Sequence, residues 1–129
     1  GGKIVNMSSV PGKGGTARFA AYCASKFAVI GFTQALAQEL APHRINVNAI
    51  CPALVDTERV DCIAGVLAPP SVSASEFRAQ HVRESSAATP LGRIAHPSDV
   101  ANVAAFLACS ESDFLTGLAI AVSGGTVMS

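Results

Sequence analysis

The sequence predicts an α/β fold: three parallel strands in a small sheet, crossover helices on both faces, and a lid. Three observations lead there. Short β-branched runs alternate with helical periodicity, in the order strand, helix, strand, lid, helix, strand. Strands separated by helices pair in parallel, and parallel sheets need cover on both faces. Half of the 129 residues are hydrophobic, and only 14% are charged against about a quarter in average domains. A folded monomer of this length exposes roughly 6,400 Å², which leaves enough buried surface for one core, so residues 1–129 read as one domain.

The elements follow in order. Residues 3–7 (KIVNM) are short and β-branched and read as a buried strand. Residues 8–19 hold a proline, three glycines and several small polar side chains, and read as a loop. Residues 20–40 contain one glycine and no proline, and Val29, Phe32, Leu36 and Leu40 recur at helical spacing. That helix is Ala-rich and apolar nearly all round, which suits burial on two sides or pairing with another subunit. Residues 45–50 (INVNAI) form a second strand, ended by Cys51 and Pro52.

Residues 58–90 are less regular. Pro69, Pro70 and the serine-rich run after them interrupt any continuous element, and residues 60–67 and 77–83 are expected as short helices. A long irregular span inside a compact domain predicts a lid. Pro97 suits the first position of a helix, Asp99 its positive N-terminal end, and Val100, Val103, Ala104 and Leu107 share one face. Residues 118–122 (LAIAV) are the last strand, closed by Gly124 and Gly125.

Composition excludes some functions. Nine basic and nine acidic residues cancel, so there is no electrostatic case for nucleic acid. No apolar stretch approaches the ~20 residues that span a bilayer, so no membrane partner is expected. Cys23, Cys51, Cys62 and Cys109 make no C-x-x-C, and His43, His81 and His96 add no metal-ligand spacing, so no metal site is expected. Reduced, buried thiols in a cytoplasmic protein are the expectation. The chain opens on Gly-Gly without an initiator Met, which suggests a piece of something longer.

One constellation carries chemistry. Tyr22 and Lys26 are four apart on the first helix and share a face. An ammonium beside a phenol favours the phenolate, which equips Tyr22 to give and take a proton. Ser9 sits just past the first strand, where parallel sheets bind ligands, and its hydroxyl would hydrogen-bond a substrate oxygen. Pro52, Ala53, Val55 and Thr57 leave the second strand at the same edge.

Ser9, the run Tyr22-Cys-Ala-Ser-Lys26-Phe-Ala-Val-Ile-Gly31-Phe-Thr, the segment Ile45-Asn-Val-Asn48-Ala-Ile-Cys-Pro52, Pro90-Leu-Gly-Arg93, Thr116-Gly117 and Gly124-Gly125 together resemble the short-chain dehydrogenase/reductases. The resemblance runs over essentially the whole chain, from the family's fifth strand to its C-terminus. It implies part of a Rossmann-like three-layer domain that transfers hydride between NAD or NADP and a carbonyl or secondary alcohol. By this resemblance Tyr22 is the general acid and base. Lys26 assists it and holds the nicotinamide ribose. Ser9 polarises the substrate carbonyl. Pro52, Ala53, Val55 and Thr57 line the nicotinamide side, with Tyr22 and Lys26 also touching the cofactor. A homo-oligomer through helix 20–40 is implied too. The long lid favours polyol, sugar or acetoin-like diol substrates over the alternative, a 3-oxoacyl carrier-protein reductase. Its apolar residues would shield hydride transfer from water.

Departures from the family pattern qualify this. The family's Gly-rich pyrophosphate turn, its NAD/NADP selector and an upstream catalytic Asn fall outside the chain, so the alternative from another class is a truncated, inactive assembly module. Ala53 stands where the family usually has Gly, which matters if the backbone needs positive φ. Ser123 replaces the usual Asp. The run Gly12-Lys-Gly14-Gly-Thr-Ala17 imitates a dinucleotide fingerprint, but no helix opens directly from the strand and no acid follows at another strand end, so a loop near the site is expected. Arg93 reads as an ion-pairing residue, and His81 and His96 as solvated.

Overall fold

A computed structural model describes residues 1–128 of the chain. Strand β1 (Gly2–Met7) leads through a 3₁₀ turn (Val10–Gly12) to helix α1 (Ala20–Leu40), and a second turn (Ala41–His43) leads to β2 (Ile45–Pro52). Helices α2 (Glu58–Leu67) and α3 (Ala74–Ala88) form the lid. Helix α4 (Pro97–Ala108), a turn (Ser110–Ser112) and β3 (Ala119–Val122) complete the chain. The strands are parallel in the order β1-β2-β3, with Gly2 opposite Ile45 and Ala49 opposite Ala119.

Strand β2 is central and carries the core: Val47, Ala49, Ile50 and Cys51 are all fully buried. Side chains alternate across a strand, and β1 uses both of its faces. Asn6 Nδ2 donates to Thr33 Oγ1 of α1 at 3.0 Å, whereas Lys3 Nζ, an odd number of residues away, donates to Ser112 Oγ and Asp113 Oδ1 just beyond α4. The two helical layers therefore cover opposite faces of the sheet. Buried Asn48 joins β2 to the approach to β3: its Nδ2 donates to the Leu115 carbonyl, and its Oδ1 accepts the Leu118 N–H.

Three expectations change. Phe32 is not on the packed face of α1 but 58% exposed, and that face is lined instead by Cys23, Thr33 and Ala37. The ideal Cβ position at Gly117 (φ +75°) lies 3.6 Å from Ala37 Cβ, so the turn before β3 packs directly on this face. Thr33 is tolerated because its hydroxyl donates to Val29 O at 2.7 Å while accepting from Asn6.

The lid is more regular than expected. The serine-rich run does not interrupt α3 but starts it, because Ser73 and Glu76 close a reciprocal capping box. Arg78 of α3 then pairs with Asp56 at 2.6 Å and with Asp61 of α2, tying the two lid helices together. The thiols also divide: Cys23 and Cys51 are buried, Cys62 and Cys109 are exposed, and all four are free. No helix among the described residues is long and apolar enough to cross a membrane.

Candidate functional site

The site is assembled at the C-terminal edge of the sheet, where β1 and β2 both end. Ser8, 5% exposed, fixes the first corner. Its N–H donates to Ile50 O of β2 at 2.8 Å, and its hydroxyl donates to Lys26 O of α1 at 2.8 Å. Gly12 completes the clamp. Its ideal Cβ position lies 2.5 Å from Ser8 Oγ and 2.8 Å from Lys26 O, so only glycine lets this turn seat against α1.

Lys26 and Ser9 both meet strand ends beside that clamp, and Tyr22 meets Lys26. Tyr22 and Lys26 lie on the half-buried side of α1, and Lys26 Nζ stands 5.6 Å from the Tyr22 ring centroid. The same ammonium donates to Met7 O, the last carbonyl of β1, at 3.3 Å. Ser9, two residues further on, has extended backbone and donates from Oγ to Pro52 O at 3.3 Å. Lys26 thus ties the Tyr22 face of α1 to the end of β1, and Ser9 ties the end of β1 to the end of β2. The Ser9 bond is long for a hydroxyl donor, so another acceptor can compete for that proton.

The β2 side is less uniform. Ala53 donates its N–H to Val122 O at 3.0 Å and faces a separate cavity of about 290 Å³, shared with Ser123, Gly124 and Leu91. Its φ is not among the positive values, so alanine here carries no conformational cost where the related pattern has glycine. Val55 makes a parallel bridge to Ala95. Thr57 occupies the cap position of α2 without using its side chain as a cap, and its hydroxyl has only a 3.5 Å contact to Val55 O. It is exposed and available to a ligand.

Other sequence features resolve into structural roles. Gly12 belongs to the turn that packs on α1, and no atom lies within 4 Å of the ideal Cβ positions of Gly14 and Gly15, so this run builds an open loop rather than a tight cradle. Arg93 holds Asp99 with both guanidinium nitrogens, at 2.6 and 3.0 Å. That pairing, joined by the His96 N–H, pulls the Asp99 carboxyl down to about 2. His96 caps α4 and His81 stacks on Phe77. Ser123 anchors the chain after β3 by donating to Val127 O at 2.9 Å.

One residue escaped sequence reasoning. The Arg59 guanidinium carbon lies 5.4 Å from the Tyr22 ring centroid, so the phenol carries a second cation besides Lys26. Nothing in the local sequence signals this, because it arises only when α2 folds back over the start of α1. Ser8 and Gly12 were legible as turn residues but not as the clamp on Lys26.

Comparison with known proteins adds the following. A family model described as Enoyl-(Acyl carrier protein) reductase matches residues 1–127. The chain is 42% identical over 125 residues to a diacetyl reductase [(S)-acetoin forming] of Staphylococcus aureus, covering 97% of this chain and 47% of that protein. It is 42% identical over 129 residues to a sorbitol dehydrogenase of Cereibacter sphaeroides, covering 100% and 49%. A short-chain dehydrogenase/reductase of Armillaria gallica is 42% identical over 127 residues, covering 98% and 46%. Among solved structures, a variant of actinorhodin polyketide ketoreductase with NADPH superposes with a TM-score of 0.84 at 37% identity, covering 96% of this chain and 46% of that one. The chain spans about half the length of the curated relatives it matches.

Proposed function

The chain belongs to the short-chain dehydrogenase/reductase family, and from that premise we propose that it supplies the C-terminal, proton-transferring half of an NAD(P)-dependent oxidoreductase. The observation that supports this reading is that Lys26, 5.6 Å from the Tyr22 ring centroid, donates to Met7 O, while Ser9, two residues beyond Met7, donates to Pro52 O. Tyr22 gives its phenolic proton to a carbonyl oxygen as that oxygen gains charge, and takes it back in the reverse direction. Lys26 supports the phenolate from the same face. Ser9 Oγ exchanges its long bond to Pro52 O for the substrate oxygen and holds it within reach of Tyr22.

The residues fit a nicotinamide riboside. Lys26 has three ammonium protons and spends one on Met7 O, which leaves donors for ribose hydroxyls. The hydroxyl of Thr57, exposed and unused as a helix cap, follows Pro52 out of β2 and is open to the same ligand. A bound nicotinamide dinucleotide supplies the hydride; the side chains position the substrate and move the proton.

For the substrate we favour a small hydroxy-carbonyl compound of the polyol, sugar or acetoin type. Two of the three curated relatives at 42% identity, the diacetyl reductase and the sorbitol dehydrogenase, support this by name, as does the long lid. The outer face of α1, with Phe27 and Phe32 46% and 58% exposed, is read as the contact with a second copy. The test is Tyr22→Phe, which keeps the ring and removes the proton. NAD(P)H-linked turnover of acetoin- and polyol-type substrates should fall by about 10²–10⁴-fold. Full activity in Tyr22→Phe refutes the proton role, and turnover of 3-oxoacyl thioesters alone refutes the substrate class. Light scattering tests the contact: a stable, cooperatively melting monomer argues against it.

A further inference from the structure

Between the loop before α1 and the lid helix α2 lies a groove of about 470 Å³, lined by Phe19, Cys62 and the apolar residues of α2 together with Arg18 and Arg59. Its walls are apolar and its two charges are both positive. Neither guanidinium has a hydrogen-bonded or ion-paired partner among the described residues. The nearby carboxylates do not serve: Asp56 and Asp61 are both taken by Arg78 from the other lid helix. Glu58, adjacent to Arg59 in sequence, makes no ion pair either. Arg18 stands at φ +72°, a left-handed backbone that is rare for a long side chain and is held only where the surroundings impose it. The groove adjoins the reacting centre, because Arg59 also lies against the Tyr22 ring.

We infer that this groove binds an anionic group of the substrate: the carbonyl compound carries a carboxylate or phosphate on a short apolar body, gripped by Arg18 and Arg59. Guanidinium is the donor that matches either anion by paired hydrogen bonds. Arg59 against the Tyr22 ring leaves only a few bonds between the anion and the carbonyl that receives the proton. An apolar wall with two uncompensated cations selects this chemistry over a neutral polyol, whose hydroxyls would lie unpaired against Phe19, Ile63 and Val66. The inference rests on the proton-transfer role proposed for Tyr22 and, among the hydroxy-carbonyl compounds proposed above, ranks those that bear an acidic group ahead of neutral diols and polyols.

The test uses matched substrates with the protein and NAD(P)H. One pair is 3-oxobutanoate against its methyl ester; the other is hydroxyacetone phosphate against hydroxyacetone. Preference for the anion in the first pair assigns a carboxylate, and in the second a phosphate. Arg59→Gln should cut the anion-to-neutral ratio of kcat/KM by about 10- to 100-fold, the worth of a charge-assisted bond. Arg59→Lys should restore part of that ratio, which a purely structural loss would not. Arg18→Gln provides the same readout if Arg59→Gln does not fold. The inference is overturned by an enzyme that turns over the neutral members as fast as the anions, or by a ratio untouched in the folded variants. Unchanged turnover of both pairs in Tyr22→Phe refutes the proton-transfer role instead, so the two failures are distinct.

Discussion

Gly12 and Gly14 stand two residues apart in one glycine-rich run, yet alanine at the two positions should act in opposite directions. A Cβ at Gly12 would sit 2.5 Å from Ser8 Oγ, 2.8 Å from Lys26 O and 2.9 Å from Lys26 C, and two of those atoms are backbone of α1. Reaching ordinary contact requires the turn to move off α1 by about 0.5 Å or more. Overpacking of this kind costs about 1–3 kcal/mol, and at about 4 °C per kcal/mol for a domain this size the melting temperature of Gly12→Ala should fall by roughly 4–12 °C. The displaced turn carries Ser9 at its start and clamps the turn of α1 that bears Lys26, so turnover should fall further than stability alone explains. Displacements of about 1 Å in catalytic groups cost up to roughly 100-fold. Gly14 meets nothing within 4 Å and has no positive φ. Gly14→Ala should therefore leave turnover intact and raise stability by up to about 1 kcal/mol, by restricting the unfolded chain. Calorimetry and steady-state kinetics on both variants decide it. Equal melting temperatures for the two, or normal turnover in Gly12→Ala, would show that the clamp on Lys26 does not position the site.

Two further outcomes follow from named groups. Because the Arg93 guanidinium, and then the His96 N–H, hold the folded Asp99 carboxyl at about 2, below its unfolded value of about 4, its contribution is present above about pH 4 and is lost as the pH falls towards 2. The difference in melting temperature between the parent and Asp99→Asn should therefore shrink over that interval, and a constant difference from neutral to acid would contradict the pairing. A thiol reagent should modify Cys62 and Cys109 in the native protein and reach Cys23 and Cys51 only after denaturation. Burial also pushes the Cys51 thiol above its ordinary range, which withholds its reactive thiolate; four fast-reacting thiols in the native state would refute this core.

The parts legible in the sequence were those set by local spacing. The bounds of α1, the strands around residues 3–7 and 45–50, and the start of α4 at Pro97 all depend on residues near in sequence. The serine-rich lid segment was misjudged because serine both breaks and starts helices, although Ser73 with Glu76 three residues later is a start signal present in the letters. The packed face of α1 differs from the periodic reading at Phe32 because the helix is apolar nearly all round, so spacing alone does not say which stripe the sheet covers. Arg59 was illegible for the same kind of reason. Its contact with Tyr22 joins two elements with β2 between them, and no window short enough to show a period contains both.

The chain exposes 7715 Å², about 1,300 Å² more than the roughly 6,400 Å² expected of a self-contained monomer of its mass. The excess has a pattern. Phe27 and Phe32 are exposed on α1, and among the described residues β1 pairs only with β2, leaving its other edge open with Met7 47% exposed at its end. Open edges and apolar helix faces attract partners. Both features border the site: Lys26 lies on α1 beside Phe27, and its ammonium ends on the carbonyl of Met7. The elements that hold Tyr22, Lys26 and Ser9 are thus packed on one side only within this chain. A proton-transfer site must hold its groups to within a fraction of an ångström. On the proton-transfer role proposed for Tyr22, a partner that covered the outer face of α1 and the open edge of β1 would act on catalysis through rigidity, without touching substrate.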